Sequence, residues 1–186
     1  QGELLGGGRV RVTPAGGGAP EEHQAKAILV ATGSVPALPP IPGARDNPRV
    51  LDSTGLLEIE AVPQRLCVIG GGVIGVEFAS LFAALGCKVT VVEVLDEIMP
   101  FMDREQAVQL RRALRGVTFK LGCRVQRIEG ATTHYTSPKG AEESVEADQV
   151  LMAVGRRPAI SGWGAEAAGL DVSSRGVAVD ERMRTN

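Results

Sequence analysis

With 186 residues, 44% of them hydrophobic, this chain has the apolar content for one packed domain and parts of a second, which excludes an extended or disordered segment. A net charge of −2 and only 3% aromatic residues offer neither the basic surface nor the stacking platforms of a nucleic-acid binder. The three cysteines, Cys67, Cys87 and Cys123, form no CxxC pair and two sit in apolar surroundings, so they are expected as small core residues in a cytoplasmic protein without a signal peptide.

Arg9–Thr13 alternates as a strand and runs into a loop, 14–22, with three successive glycines and two prolines. Lys26–Ala31 (KAILVA) has the composition of a buried strand, and it ends on Thr32-Gly33-Ser34. Prolines at 36, 39, 40, 42 and 48 make 35–48 an extended connector. Ser53 or Thr54 is the expected cap of a short helix reaching Ile59, and a domain boundary is expected near residue 57.

The stretch 66–93, LCVIGGGVIGVEFASLFAALGCKVTVVE, carries the strongest signal. Leu66–Ile69 has the length and branching of a buried parallel strand. Gly70, Gly72 and Gly75 then occupy the fixed positions of G-x-G-x-x-G, and Ile74, Phe78, Leu81, Phe82 and Leu85 recur at helical spacing up to Gly86. Lys88–Glu93 is a second strand that ends on an acid. A βαβ start of this kind binds a dinucleotide. One glycine makes the turn, one admits the pyrophosphate, and one lets the helix pack on the strand. The helix N-terminus offers unpaired N–H groups to the phosphates, and Glu93 accepts from the adenosine ribose. No arginine follows within 94–97 to receive a 2′-phosphate, so NAD rather than NADP is expected. The apolar run 67–87 is no membrane span, because glycines interrupt it and Glu77 lies inside it.

Further along, Asp103 with Gln106 reads as a capping box for a helix whose inward stripe is Ala107, Leu110 and Leu114. Val117–Leu121 and Arg124–Ile128 read as strands, 130–142 as a polar hairpin tip, and Gln149–Val154 as another buried strand broken by Gly155-Arg156-Arg157-Pro158. Gly176–Asp180 is one more expected strand, and His23 and His134 fall in polar stretches as solvated residues. The fold class expected is α/β, a Rossmann-like nucleotide-binding domain with a parallel sheet and a β-meander at 58–154. It is flanked by a first segment at 1–57 and a return segment at 155–186.

Four stretches in order, ILVATGSVPALPPIPG (28–43), CVIGGGVIGVEFASLFAALGCKVTVVE (67–93), MAVGRRP (152–158) and VDERMRTN (179–186), resemble the flavin-dependent pyridine nucleotide–disulfide oxidoreductases of the dihydrolipoamide dehydrogenase type. Glutathione reductase, mercuric reductase and soluble transhydrogenase carry similar landmarks, and a stand-alone NAD-binding module without turnover is the alternative outside the enzymes. The resemblance implies FAD and NAD as cofactors. Thr32, Gly33 and Ser34 would lie against the FAD, and Gly70, Gly71, Gly72, Val73, Ile74, Gly75 and Val76 would form the NAD turn and its helix. Glu77, expected to be buried, would point toward the nicotinamide–flavin contact. Glu93 would hold the ribose, Val125 the adenine region by its backbone, and Gly155 would approach the NAD closely. The flanking segments 1–57 and 155–186 would then be pieces of the FAD domain. The redox C-x4-C pair, the first FAD turn and the catalytic histidine would lie outside this chain, so no catalytic or metal residue is expected within it. The parent enzyme would oxidise dihydrolipoamide and serve cell redox homeostasis as a homodimer within a 2-oxo acid dehydrogenase complex, with no nucleic-acid or membrane partner.

Overall fold

The computed structural model describes residues 1–186. It contains four strands first, β1 (Gly2–Gly6), β2 (Arg9–Val12), β3 (Glu21–Gln24) and β4 (Ser34–Pro36). Then come β5 (Val50–Leu51), α1 (Ser53–Leu57), β6 (Arg65–Ile69), α2 (Val73–Ala84), β7 (Lys88–Val92), α3 (Arg104–Ala113) and β8 (Val117–Lys120). The rest is β9 (Arg124–Glu129), β10 (Thr132–Thr136), β11 (Glu142–Glu146), β12 (Gln149–Met152), β13 (Arg156–Pro158), β14 (Val172–Ser173) and β15 (Gly176–Val177). Two compact units result: Pro36–Gly155, and Gln1–Val35 with Arg156–Asn186. No helix is long and apolar enough to cross a membrane.

The unit Pro36–Gly155 is built on a parallel sheet of order β5-β12-β6-β7-β8. Its strands are apolar on both sides because both faces are covered. Leu66, Val68, Val89, Val91 and Leu151 pack with Ala79 and Phe82 of α2 and Leu56 of α1. The alternate residues Cys67, Ile69, Val92, Val150 and Met152 point the other way. There they meet Ile128 and Tyr135 of an antiparallel sheet of order β11-β10-β9, and Cys123 just before β9. Burial pushes the Cys67 thiol up to about 11, as befits a core cysteine that is neutral at ordinary pH.

Several boundaries differ from the sequence reading. The compact unit begins at Pro36 rather than near residue 58, because backbone and side-chain groups of the proline-rich connector hydrogen-bond with the sheet segments. Ile128 N donates to the Pro42 carbonyl at 2.8 Å, Asn47 Nδ2 to that of Gly130 at 2.8 Å, and Val150 N to that of Arg49 at 2.8 Å. Thr132–Thr136 is a central strand rather than part of a hairpin tip. Its Thr133 and Tyr135 point inward at 0% and 1% exposure, a period-2 pattern hidden by polar side chains. His134, on the same strand, is largely buried, with Nε2 3.3 Å from Glu129 Oε2. The cap of α1 is Asp52, whose carboxylate accepts from Gly55 N at 2.8 Å, and not Ser53 or Thr54. Asp103 does cap α3, accepting from Glu105 N at 2.9 Å rather than from Gln106.

The fully buried Thr133 hydroxyl has no hydrogen-bond acceptor. The Cys67 thiol faces it, and a thiol is a weak partner. Replacing it by the near-isosteric valine is therefore expected to stabilise the fold by up to about 1 kcal/mol. A lowered urea midpoint for Thr133→Val would contradict this.

In the unit formed by Gln1–Val35 and Arg156–Asn186, β1, β2 and β3 make an antiparallel sheet, and β14 and β15 a short hairpin. Lys26–Ala31 is not a strand here, and Leu29 is 90% exposed. An apolar run becomes a buried strand only when neighbouring strands take its backbone bonds and both its faces, and none runs beside it. The strand expected at Gly176–Asp180 is confined to Gly176–Val177.

Candidate nucleotide-binding site

At the C-terminal ends of β6, β7 and β12 the unit Pro36–Gly155 opens into a cavity of about 580 Å³. Its walls are the glycine turn (Gly70, Gly72, Val73, Ile74), the end of β7 (Glu93 to Leu95), the end of β12 (Ala153 to Gly155) and the start of β9 (Cys123 to Val125). A crevice beyond the carboxyl ends of parallel strands, where β6 has β7 on one side and β12 on the other, is where open α/β sheets bind ligands.

The local sequence explains the cavity floor. Gly70 has φ +110°, and a Cβ there would run into the Ala153 carbonyl of the neighbouring strand end. Only glycine combines that backbone angle with that proximity. A Cβ on Gly75 would strike the Gly70 carbonyl and press on Val68 Cγ1 at 3.3 Å, so this glycine seats α2 on β6. Gly72 begins α2 without a side-chain cap. The N–H groups of Gly72, Val73, Ile74 and Gly75 have no protein acceptor, the first three of them on residues that line the cavity, and Val76 N is the first to bond back, to the Gly72 carbonyl at 2.9 Å. An uncapped N-terminus with three such donors is an anion cradle.

Glu93 is 8% exposed and lines the same cavity. One carboxylate oxygen accepts from Gly71 N and the other from Leu95 N at 2.7 Å. Each oxygen keeps a lone pair for a further donor, so the acid can serve a ligand diol while fixing the turn. The carbonyl of Gly71 is held from the same side by Met99 N at 2.8 Å. Both polar groups of the middle glycine are thus tied to the segment that follows β7.

That segment is anchored by Glu97, whose carboxylate takes Arg111 Nε at 2.7 Å, Arg111 Nη2 at 3.0 Å and Ile98 N at 3.0 Å. The guanidinium bond holds the Glu97 carboxyl below its ordinary value of 4.5, against the opposing pull of burial. A depressed native pKa stabilises the fold above that ordinary value and loses the contribution as pH falls through the native one. Glu97→Ala is expected to cost about 2–3 kcal/mol near neutral pH and much less in acid, since Arg111 would be left unpaired. Urea unfolding of both proteins at about pH 7 and about pH 3.5 checks the convergence.

The sequence-derived residues divide into groups. Gly70, Gly72, Val73, Ile74, Glu93, Val125 and Gly155 all line the one cavity. Gly71, Gly75 and Val76 do not: Gly71 is tied to Glu93 and Met99, Gly75 is packed on Gly70, and Val76 is in the core with Ile98 and Ala107. Glu77 is exposed rather than buried, because Val76 and Ala79 take the inward positions of α2 and leave 77 on the outer face. Thr32 and Gly33 line a separate groove of about 680 Å³ within the other unit. Ser34 does not line that groove; its Oγ accepts from Arg156 Nε at 2.8 Å. Missed from the sequence were the apolar lining residues Pro39, Ile41 and Pro100, and Arg124. Only the last carried a signal, since it directly precedes Val125, which the sequence had already singled out. No cluster of side chains suited to a metal ion is present.

Residues 4–186 match the family model described as pyridine nucleotide-disulphide oxidoreductase, and the chain belongs to this family. It is 45% identical over 190 residues to dihydrolipoyl dehydrogenase 3 of Pseudomonas aeruginosa, across 98% of this chain and 40% of that protein. It is 41% identical to dihydrolipoamide dehydrogenase of Chaetomium thermophilum, across 98% of this chain and 36% of that one. Among solved structures, the flavoprotein disulfide reductase RclA of Escherichia coli superimposes on the whole chain with a TM-score of 0.86 at 38% identity, over 42% of its own length. This chain thus spans about two fifths of the length of the relatives it matches.

Proposed function

We propose that the cavity of the Pro36–Gly155 unit holds NAD(H) in a dihydrolipoyl dehydrogenase type flavoprotein. The observation that supports this most is the meeting, in one cavity, of the three unengaged N–H groups at the start of α2 with the buried acid that ends the next strand. The N–H groups of Gly72, Val73 and Ile74 would take the pyrophosphate, Glu93 the adenosine ribose hydroxyls and the backbone near Val125 the adenine. Gly155, without a side chain, would admit the nicotinamide half. Ile69, Val92, Ala153 and Pro39 supply the apolar walls that exclude water from the bound nucleotide. Thr32 and Gly33, in the groove of the other unit, are the proposed neighbours of FAD.

When bound, the two cofactors supply the redox chemistry, electrons from a reduced disulfide substrate such as dihydrolipoamide passing through FAD to NAD+. The residues of this chain bind and orient. The whole enzyme would act as a homodimer, in the assembly of a 2-oxo acid dehydrogenase complex. RclA and, at 39% identity, the soluble pyridine nucleotide transhydrogenase of Mycobacterium bovis are similar too. The disulfide substrate is therefore assigned here on the identities to the dihydrolipoyl dehydrogenases.

Fluorescence titration tests the nucleotide assignment. The chain is expected to bind NADH saturably and at least tenfold more tightly than NADPH, since a bond from a ribose hydroxyl to a carboxylate is worth roughly 1.5–3 kcal/mol. Absent NADH binding, or equal affinities, would overturn it.

A further inference from the structure

The preference for NAD was read from Glu93 and from the lack of an arginine in the residues just after it. The fold changes that reading, because Arg124 lines the same cavity as Glu93. The two are joined by backbone: Cys123 N donates to the Glu93 carbonyl at 2.8 Å, so Arg124 enters β9 one residue beyond the acid's own hydrogen-bonded neighbour. It is the one cationic residue in the cavity wall.

Arg124 is also uncommitted. It is exposed, and no hydrogen bond or ion pair engages its guanidinium, whereas the surrounding acids are taken. Glu142 accepts from Arg127 at 2.6 Å, and Glu143 accepts from Tyr135 at 2.9 Å and pairs with Lys120 at 3.4 Å. An arginine with planar paired donors, held by nothing and lining the same cavity as Glu93, suits a phosphate ester.

The geometry points to Arg124 as the specificity-determining partner of a 2′-phosphate: it opposes Glu93 and sets how far the site discriminates against NADPH. This rests on the dinucleotide reading given above. Glu93 repels the 2′-phosphate, Arg124 attracts it, and the measured preference is the difference between the two. The site then has an unused capacity for NADP(H) that neutralising the acid would release.

The test is a titration of NADH and NADPH against the wild type, Arg124→Gln, Glu93→Gln and the double variant. Arg124 is exposed, so its replacement leaves the core intact. Arg124→Gln is expected to raise the ratio of NADPH Kd to NADH Kd about tenfold. Glu93→Gln is expected to lower that ratio by a similar factor, and the double variant to lose the gain. The effect of Arg124 should shrink at high salt. An unchanged ratio in Arg124→Gln overturns the assignment even if Glu93→Gln fails to fold. A wild type that binds neither nucleotide overturns the dinucleotide reading, and Arg124 with it.

Discussion

Gly75→Val is expected to cost about 3 kcal/mol or more and to abolish NADH binding. A branched side chain at 75 must displace either α2 or the Gly70 carbonyl, since a first carbon there already overlaps that carbonyl and presses on Val68 Cγ1. Overpacking ordinarily costs 1–3 kcal/mol, at sites where flexible side chains can move aside. Here the obstruction is backbone, and the backbone is the turn that would carry the pyrophosphate. The urea midpoint and an NADH titration measure the two losses separately. Gly75→Ala is expected to show the same losses at reduced size, because its single methyl meets the same carbonyl. A Gly75→Val protein with unchanged midpoint and unchanged affinity would remove 75 from the contact between helix and strand.

Glu93→Ala is expected to weaken NADH binding at least tenfold and to destabilise the fold by about 2–3 kcal/mol. The binding loss follows from the proposed role of Glu93 as ribose acceptor, at roughly 1.5–3 kcal/mol for a bond to a charged group. The stability loss follows from Gly71 N and Leu95 N, which lose their acceptor together. Glu93→Gln separates the two effects, because its single carbonyl oxygen can still serve one of those amides while the charge is gone. Thermal unfolding and nucleotide titration of the three proteins decide it. Undiminished affinity in both variants would take Glu93 out of the site.

Much of this site was legible because its signal is local. The glycine spacing, the apolar strand before it, the 3.6-residue pattern after it and the terminal acid lie in one run of sequence, and each has a backbone reason to be there. What stayed hidden depends on contacts between distant segments. Arg124 is an ordinary strand-edge cation until the Cys123–Glu93 backbone bond carries it to the cavity. Glu77 has apolar neighbours in sequence, yet the helical period turns it outward while Val76 and Ala79 turn in. Thr133 and Tyr135 alternate properly for a strand, but threonine and histidine disguise the pattern as a polar tip. Lys26–Ala31 shows the converse, a strand-like composition that forms no strand because nothing pairs with it.

The strand order β5-β12-β6-β7-β8 also bears on how the chain reaches its native state during synthesis. The last strand of the sheet to leave the ribosome is an interior one, seated between β5 and β6. Until Gln149–Met152 emerges, β6 carries an open edge beside its pairing with β7, and Val150 and Leu151, both 0% exposed when folded, are missing from the centre of both packing layers. Such an edge is a template for pairing with other chains. A nascent chain paused within the β9–β11 meander is therefore expected to expose this edge, and protease resistance of the sheet is expected only once the residues up to Gly155 are free.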